Sequence, residues 1–241
     1  MKHALILAGG EGSRFRDDGV PTPKATVEIN GRPQLLRLLD RLVGLGAETV
    51  TCMIRSGIEL PPINVRHARP LELVFHRCNT PSPVHTLAAG LRIVPPGPVL
   101  CLMVDTVMPA EDWEKVYSGA GARLAAGATA VLAVTPYVDD ERALYVEAAG
   151  ERIIGLPDTP VDPVLVTGGV YGLSQAARDL GVSAPDRGID RMRAYLRPLL
   201  TLGRVEMVEV PRIVDLDRAQ DLDSARALLA REGPALPTFS S

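Results

Sequence analysis

An apolar, strand-like run, Ala4-Leu5-Ile6-Leu7, opens directly into Ala8-Gly9-Gly10-Glu11-Gly12-Ser13-Arg14 at the start of this chain. Three glycines remove the Cβ atoms that would hold an anion away from the backbone, so consecutive N–H groups can point at phosphate oxygens. Arg14 and, after Pro23, Lys24 add fixed positive charge. A strand must lead into such a loop, which commits the N-terminus to an α/β arrangement. The same loop marks Leu7, Ala8, Gly9, Gly10, Glu11, Gly12 and Ser13 as candidates for contact with a nucleotide's phosphates.

The remainder of the chain alternates apolar, β-branched runs with amphipathic stretches. This rhythm predicts strands over 2–7, 48–54, 71–76, 98–104, 128–134 and 205–210, and helices over 33–43, 84–93, 110–125, 188–200 and 219–231. Pro98-Val99-Leu100-Cys101-Leu102-Met103-Val104 is almost wholly apolar, as a parallel strand buried on both faces should be, and it ends at Asp105. The shorter apolar segments 144–148, 152–155 and 164–171 predict an inserted antiparallel ribbon. The Pro- and Ser-rich stretch 233–241 predicts a frayed tail after a single domain spanning 1–232.

Composition narrows the partners. With net charge −3 there is no basic field for nucleic acid. Cys52, Cys78 and Cys101 form no C-x-x-C pair, so neither a disulfide framework nor a zinc cluster is expected. Cys52 and Cys101 sit inside strand-like runs and read as small buried hydrophobes. No membrane span or signal-peptide pattern is visible, so a cytoplasmic protein with no membrane partner is expected.

Two phosphate-binding loops can be set aside. The dinucleotide fingerprint needs a third glycine where this chain has Phe15, and a P-loop needs a Gly-Lys pair that the chain lacks. What matches is Leu7-Ala8-Gly9-Gly10-x-Gly12-x-Arg14-Phe15 with Pro23-Lys24, then Ala25-Thr26-Val27-Glu28-Ile29-Asn30-Gly31-Arg32-Pro33 running into a helix. This pattern resembles the nucleotidyltransferases that make nucleoside-diphosphate sugars from a nucleoside triphosphate and a sugar 1-phosphate. With the α/β rhythm, the resemblance implies a Rossmann-like three-layer α/β/α domain with a mainly parallel central sheet and a small antiparallel insertion. It also implies transfer of an NMP group from an NTP to a phosphorylated small-molecule acceptor, with Arg14 and Lys24 as the catalytic cations and Mg²⁺ as cofactor. Lys24 follows Arg14 at a greater distance than in molybdopterin guanylyltransferases, which disfavours those. A non-sugar acceptor, such as phosphocholine or a polyol phosphate, and a non-catalytic nucleotide sensor are the alternatives.

The resemblance extends along the chain. It implies that Asp105, after the central strand, and Asp217, in Val214-Asp215-Leu216-Asp217, hold the metal, with Asp215 and Asp221 weaker candidates. It places Thr167-Gly168-Gly169 on the acceptor pocket, and Ser82 and Thr86 near the base. Arg187 and Arg191, four apart, are expected to share a helical face and grip the acceptor's phosphate. Asp158 stands where sugar-specific members carry a Glu-Lys-Pro stretch. The sequence ends after the last helix, so no acetyltransferase part is expected, and a monomer or a homodimer formed through the α/β domain is.

Overall fold

A computed structural model of the chain describes residues 1–63, 71–139 and 143–230. The tail expected over 233–241 lies outside the described residues. Strand β1 (His3–Ala8) runs into the glycine loop and a short helix α1 (Ser13–Asp17). A small hairpin, β2 (Glu28–Ile29) and β3 (Arg32–Pro33), leads to helix α2 (Gln34–Gly44). Then follow β4 (Thr49–Arg55), β5 (Glu72–Cys78), α3 (Pro83–Ile93), β6 (Val99–Met103), β7 (Thr106–Val107), α4 (Ala110–Ala125) and β8 (Ala130–Thr135). The second half contains β9 (Glu147–Ala149), β10 (Arg152–Gly155), β11 (Val166–Leu173), α5 (Gln175–Ser183), α6 (Met192–Leu196), α7 (Leu199–Leu202), β12 (Val205–Glu209), β13 (Val214–Asp215) and α8 (Ala219–Leu228).

Nine strands form one sheet in the order β5-β4-β1-β6-β11-β8-β12-β10-β9. Seven point the same way, and β10 and β11 run against them. Strand β1 alternates its side chains between two cores. Ala4, Ile6 and Ala8 join the α2 leucines and Trp113 of α4 on one face, and Leu5 and Leu7 join Val84, Leu87 and Leu91 of α3 on the other. This burial on both faces produces the three layers that the apolar runs predict. Cys52 and Cys101 are buried in these cores, as their surroundings in sequence predict.

Two expectations need correction. The segment 164–171, read as part of an inserted antiparallel ribbon, falls largely in strand β11 (Val166–Leu173), which lies in the main sheet between β6 and β8. A core packs on each face of the sheet there, Val170 in one and Tyr171 and Leu173 in the other. The helix expected over 188–200 is broken, because Gly188 takes φ +72 after a 3-10 turn at Pro185–Arg187 and α6 begins only at Met192.

Helix α3 ends at Ile93 with carbonyls that no helical N–H can reach. Arg178 of α5, 3% exposed, donates to the carbonyls of Leu91, Val94, Pro95 and Gly97 at 2.5–3.2 Å. Arg178→Met should therefore lower unfolding free energy by at least about 2 kcal/mol, the scale of stranding buried carbonyls. Urea denaturation checks this, and an unchanged midpoint would contradict it.

Candidate active site

The chain leaves β1 and crosses in one direction to β4 and in the other to β6, so the C-terminal end of β1 lies at a switch point of the sheet. The glycine loop sits there. Gly12 adopts φ +58, which favours glycine, and a Cβ on Gly10 would meet nothing within 4 Å, leaving that backbone open. Gly9 is closed in by Thr86 and Cys78. Phe15, where the dinucleotide fingerprint requires glycine, is 1% exposed in a third, smaller core with Val27, Ile29, Val107, Val214, Leu216 and Leu222. Through Phe15 the loop is fastened to β13 and α8, the segment that carries the distant aspartates.

Asp105 stands in the turn between β6 and β7. Buried Gln34 of α2 donates from Nε2 to the carbonyls of Val104 (3.1 Å) and Thr106 (2.9 Å), which clamps this turn from both sides. Strand β13 pairs with β7, setting Asp215 opposite Thr106, and the Leu216 N–H donates to the Asp105 carbonyl at 3.1 Å. The Asp221 carboxylate accepts the N–H groups of Asp217 (2.9 Å) and Arg218 (2.6 Å), fixing Asp217 at the entry to α8.

Asp105, Asp215 and Asp217 thereby offer carboxylate oxygens within 4.8 Å of one another. Lys24 Nζ lies among them, 2.8 Å from Asp105 Oδ2 and 2.7 Å from Asp217 Oδ1, and Arg14 Nη1 donates to Asp217 Oδ2 at 2.7 Å. Burial works against the Lys24 charge, but Asp105, Asp215 and Asp217 together outweigh it and push its pKa up, so the ammonium stays protonated. Burial likewise works against ionised Asp217, and Lys24 and Arg14 outweigh it to hold its carboxyl below the ordinary range. Asp105 Oδ1 is buried without a hydrogen-bond partner. Such a donor set suits a hard divalent cation.

Three cavities border this cluster; the largest, of about 580 Å³, is lined by Arg14, Asp215, Asp217 and Arg218, and two smaller ones lie over the glycine loop and the β11 glycines. One, of about 300 Å³, is lined by Leu7, Ala8, Gly10, Glu11, Gly12, Lys24 and Asp105. The other, of about 240 Å³, is lined by Thr167, Gly168, Gly169, Tyr171, Arg193 and Asp215. Gly168 and Gly169 form an irregularity in β11 where side chains have no room, since Cβ atoms there would press on Ile213 and Thr106.

Other expected residues sit apart from these cavities. Ser82 caps α3 through the His85 N–H and contacts His85 Nδ1, while Thr86 bonds to Thr80 and the Ser82 carbonyl. Ser13 opens α1. Arg187 and Arg191 do not share a helix: Arg187 ends the 3-10 turn, Arg191 precedes α6, and both are exposed. The break at Gly188 separates them, and Arg193 is the arginine that reaches the cavity at Gly168-Gly169. Asp158 accepts from Arg193 and Arg197, each at 2.7 Å. Gln34, Arg55, Arg193 and Asp215 are the residues that sequence reasoning missed or underweighted. A polar Gln inside the leucine-rich α2 stretch was the one available signal.

The glycine loop at the sheet's switch point, beside a carboxylate cluster that could hold a metal ion, belongs to a nucleotidyltransferase-type fold. The chain belongs to the family described as the MobA-like NTP transferase domain, whose model matches residues 4–159. It is 29% identical over 112 residues to an N-acetylmuramate alpha-1-phosphate uridylyltransferase of Caulobacter vibrioides, covering 44% of this chain and 46% of that one. It is 41% identical over 51 residues to a UTP–glucose-1-phosphate uridylyltransferase of Haloferax volcanii, covering 21% of each. The matches thus span less than half the length of these curated relatives. The fold is shared with the inositol-1-phosphate CTP transferase from T. maritima, at TM-score 0.76 and 18% identity over 98% of each chain. It is shared too with a UDP-glucose pyrophosphorylase from Acinetobacter baumannii, at TM-score 0.77 and 17% identity over 98% of this chain and 95% of that one. No helix among the described residues is long and apolar enough to cross a membrane.

The ion cluster has a defined pH signature. Asp217, with its pKa depressed, contributes stability fully above the ordinary carboxylate value of about 3.9 and loses it as pH falls through the depressed value. Lys24, with its pKa raised, contributes fully below about 10.4 and loses that share only as pH rises further. Removing the lysine removes the charge that holds Asp217 down. In the metal-free protein, the urea midpoint of wild type should fall more steeply than that of Lys24→Met as pH drops below about 4, through the depressed Asp217 value. Parallel declines would contradict the coupling.

Proposed function

We propose that this protein transfers an NMP group from an NTP to a phosphorylated small-molecule acceptor, a sugar 1-phosphate in the first instance, and releases pyrophosphate. The observation that carries the reading is the cluster of Lys24 and three carboxylates, with Arg14 on Asp217, where a glycine-loop cavity, a cavity at Gly168-Gly169 and a larger cavity lined by Arg14, Asp215 and Asp217 converge. The glycine-loop cavity takes the triphosphate and the cavity at Gly168-Gly169 takes the acceptor.

The acceptor's phosphate oxygen is already anionic, so no general base is required. Attack at the α-phosphorus in line with the leaving pyrophosphate forms one P–O bond as the other breaks, and no covalent enzyme intermediate is involved. The chain's task is to bring two anions together and to stabilise charge on the leaving group. Lys24, kept protonated by its carboxylate neighbours, acts as a cation on the α-phosphate rather than as a proton acceptor. Arg14 neutralises the β- and γ-phosphates. Asp105, Asp215 and Asp217 are the residues that would hold Mg²⁺, which when bound supplies Lewis-acid charge to phosphate oxygens.

The two sequence relatives are both named as uridylyltransferases acting on sugar 1-phosphates, which supports UTP as donor and a sugar 1-phosphate as acceptor. The deciding experiment measures pyrophosphate release from each of UTP, CTP, GTP and ATP with Mg²⁺ and a panel of sugar, polyol and choline phosphates. Metal-dependent NTP binding with no turnover on any acceptor would instead identify a nucleotide sensor.

Two outcomes follow for variants. Lys24→Ala should lower the rate constant at least about 100-fold, the scale of losing one oriented electrostatic donor, and full turnover in that variant would sink the assignment. Asp105→Asn should raise the Mg²⁺ concentration needed for half-maximal rate, whereas an unchanged metal requirement would remove Asp105 from the metal set.

A further inference from the structure

Arg55, the last residue of β4, lies beside the glycine loop and has no part in the reaction described above. Its Nη2 donates to Glu11 Oε1 at 2.7 Å and its Nη1 to the Gly9 carbonyl at 3.5 Å. It lines the same cavity as Gly10, Gly12, Lys24 and Asp105. Glu11 is the anomaly. A carboxylate on a loop that receives a triphosphate repels its ligand unless a cation compensates it, and its side chain is 63% exposed in that ion pair. An ion pair so open to water costs little to exchange, because surface pairs contribute about 0–1 kcal/mol. A guanidinium matches phosphate oxygens bidentately as well as it matches a carboxylate.

Resting on the nucleotidyl-transfer reading, we propose that Arg55 is a further nucleotide-positioning residue, held over the loop by Glu11 in the free protein and transferred to the β- and γ-phosphate oxygens when an NTP enters. Glu11 is then a built-in competitor of the triphosphate for the same guanidinium. The exchange favours ligands with several phosphates, because a nucleoside monophosphate carries no β- or γ-oxygens to replace the carboxylate. Arg55 thereby sorts nucleotides by phosphate number, while Lys24 and Arg14 serve the reaction itself.

The two members of the pair make opposite predictions. Calorimetry without acceptor, in Mg²⁺, compares the tightest-binding of the four NTPs with its own monophosphate. Arg55→Gln should weaken NTP binding at least about tenfold and monophosphate binding less than about twofold. Glu11→Gln, which frees the guanidinium, should tighten NTP binding. A purely structural latch behaves differently, with both variants loosening the loop and weakening NTP and monophosphate alike. That result would overturn the proposal, as would an NTP affinity in Arg55→Gln unchanged from wild type, or no NTP binding by wild type at all. Because the readout is binding, it separates from the transfer reading: if NTP binding responds as expected but no acceptor turns over, nucleotidyl transfer fails and the role of Arg55 in holding triphosphate stands.

Discussion

Three carboxylates within 4.8 Å of one another, with a lysine ammonium among them, form the constraint on which the rest of this structure depends. Like charges so close in a half-buried cleft are strongly unfavourable unless cations compensate them. Every element that converges there helps to fix the compensation. Helix α1, opening from the glycine loop, delivers Arg14, the segment after α1 delivers Lys24, the β6–β7 turn delivers Asp105, β13 delivers Asp215, and the turn into α8 delivers Asp217. Gln34 and Asp221, neither of which enters the cluster, hold two of these segments through backbone hydrogen bonds. Positioning at the site thus runs through side chains outside the cluster that grip the main chain carrying it.

The small core around Phe15 explains how residues two hundred positions apart meet. Phe15, Val27 and Ile29 from the N-terminal segment pack with Val214, Leu216 and Leu222 from the C-terminal one. The hydrophobic burial that closes this cluster also places Arg14 on Asp217. The same residue that excludes a dinucleotide fingerprint, phenylalanine in place of glycine, ties the glycine loop to the segment carrying Asp215 and Asp217.

Much of the fold was legible because burial on both faces writes nearly continuous apolar runs into strands such as β6, and helix α4 carries its own amphipathic period over Ala110–Ala125. Strand β11 was placed less well. Val166–Leu173 contains Gly168 and Gly169, which weaken a local strand signal, and nothing in the sequence says which strands flank it. Pairing between β6 and β8 is a long-range choice. The arginines followed the same logic, because a helical spacing of four carried Arg187 and Arg191 onto one face only as long as Gly188 was assumed helical.

By itself the sequence determined the glycine loop, its two cations, the alternating α/β rhythm and the aspartate that ends the central strand. Each is a local property: backbone freedom, charge or side-chain period within a few residues. Only the tertiary structure decided that Asp215 joins Asp105 and Asp217, that Arg193 rather than Arg187 or Arg191 reaches the cavity at Gly168-Gly169, and that Arg55 stands over Glu11. Those outcomes follow from strand pairing and from hydrophobic contacts between segments far apart in the chain, which no short window of sequence records.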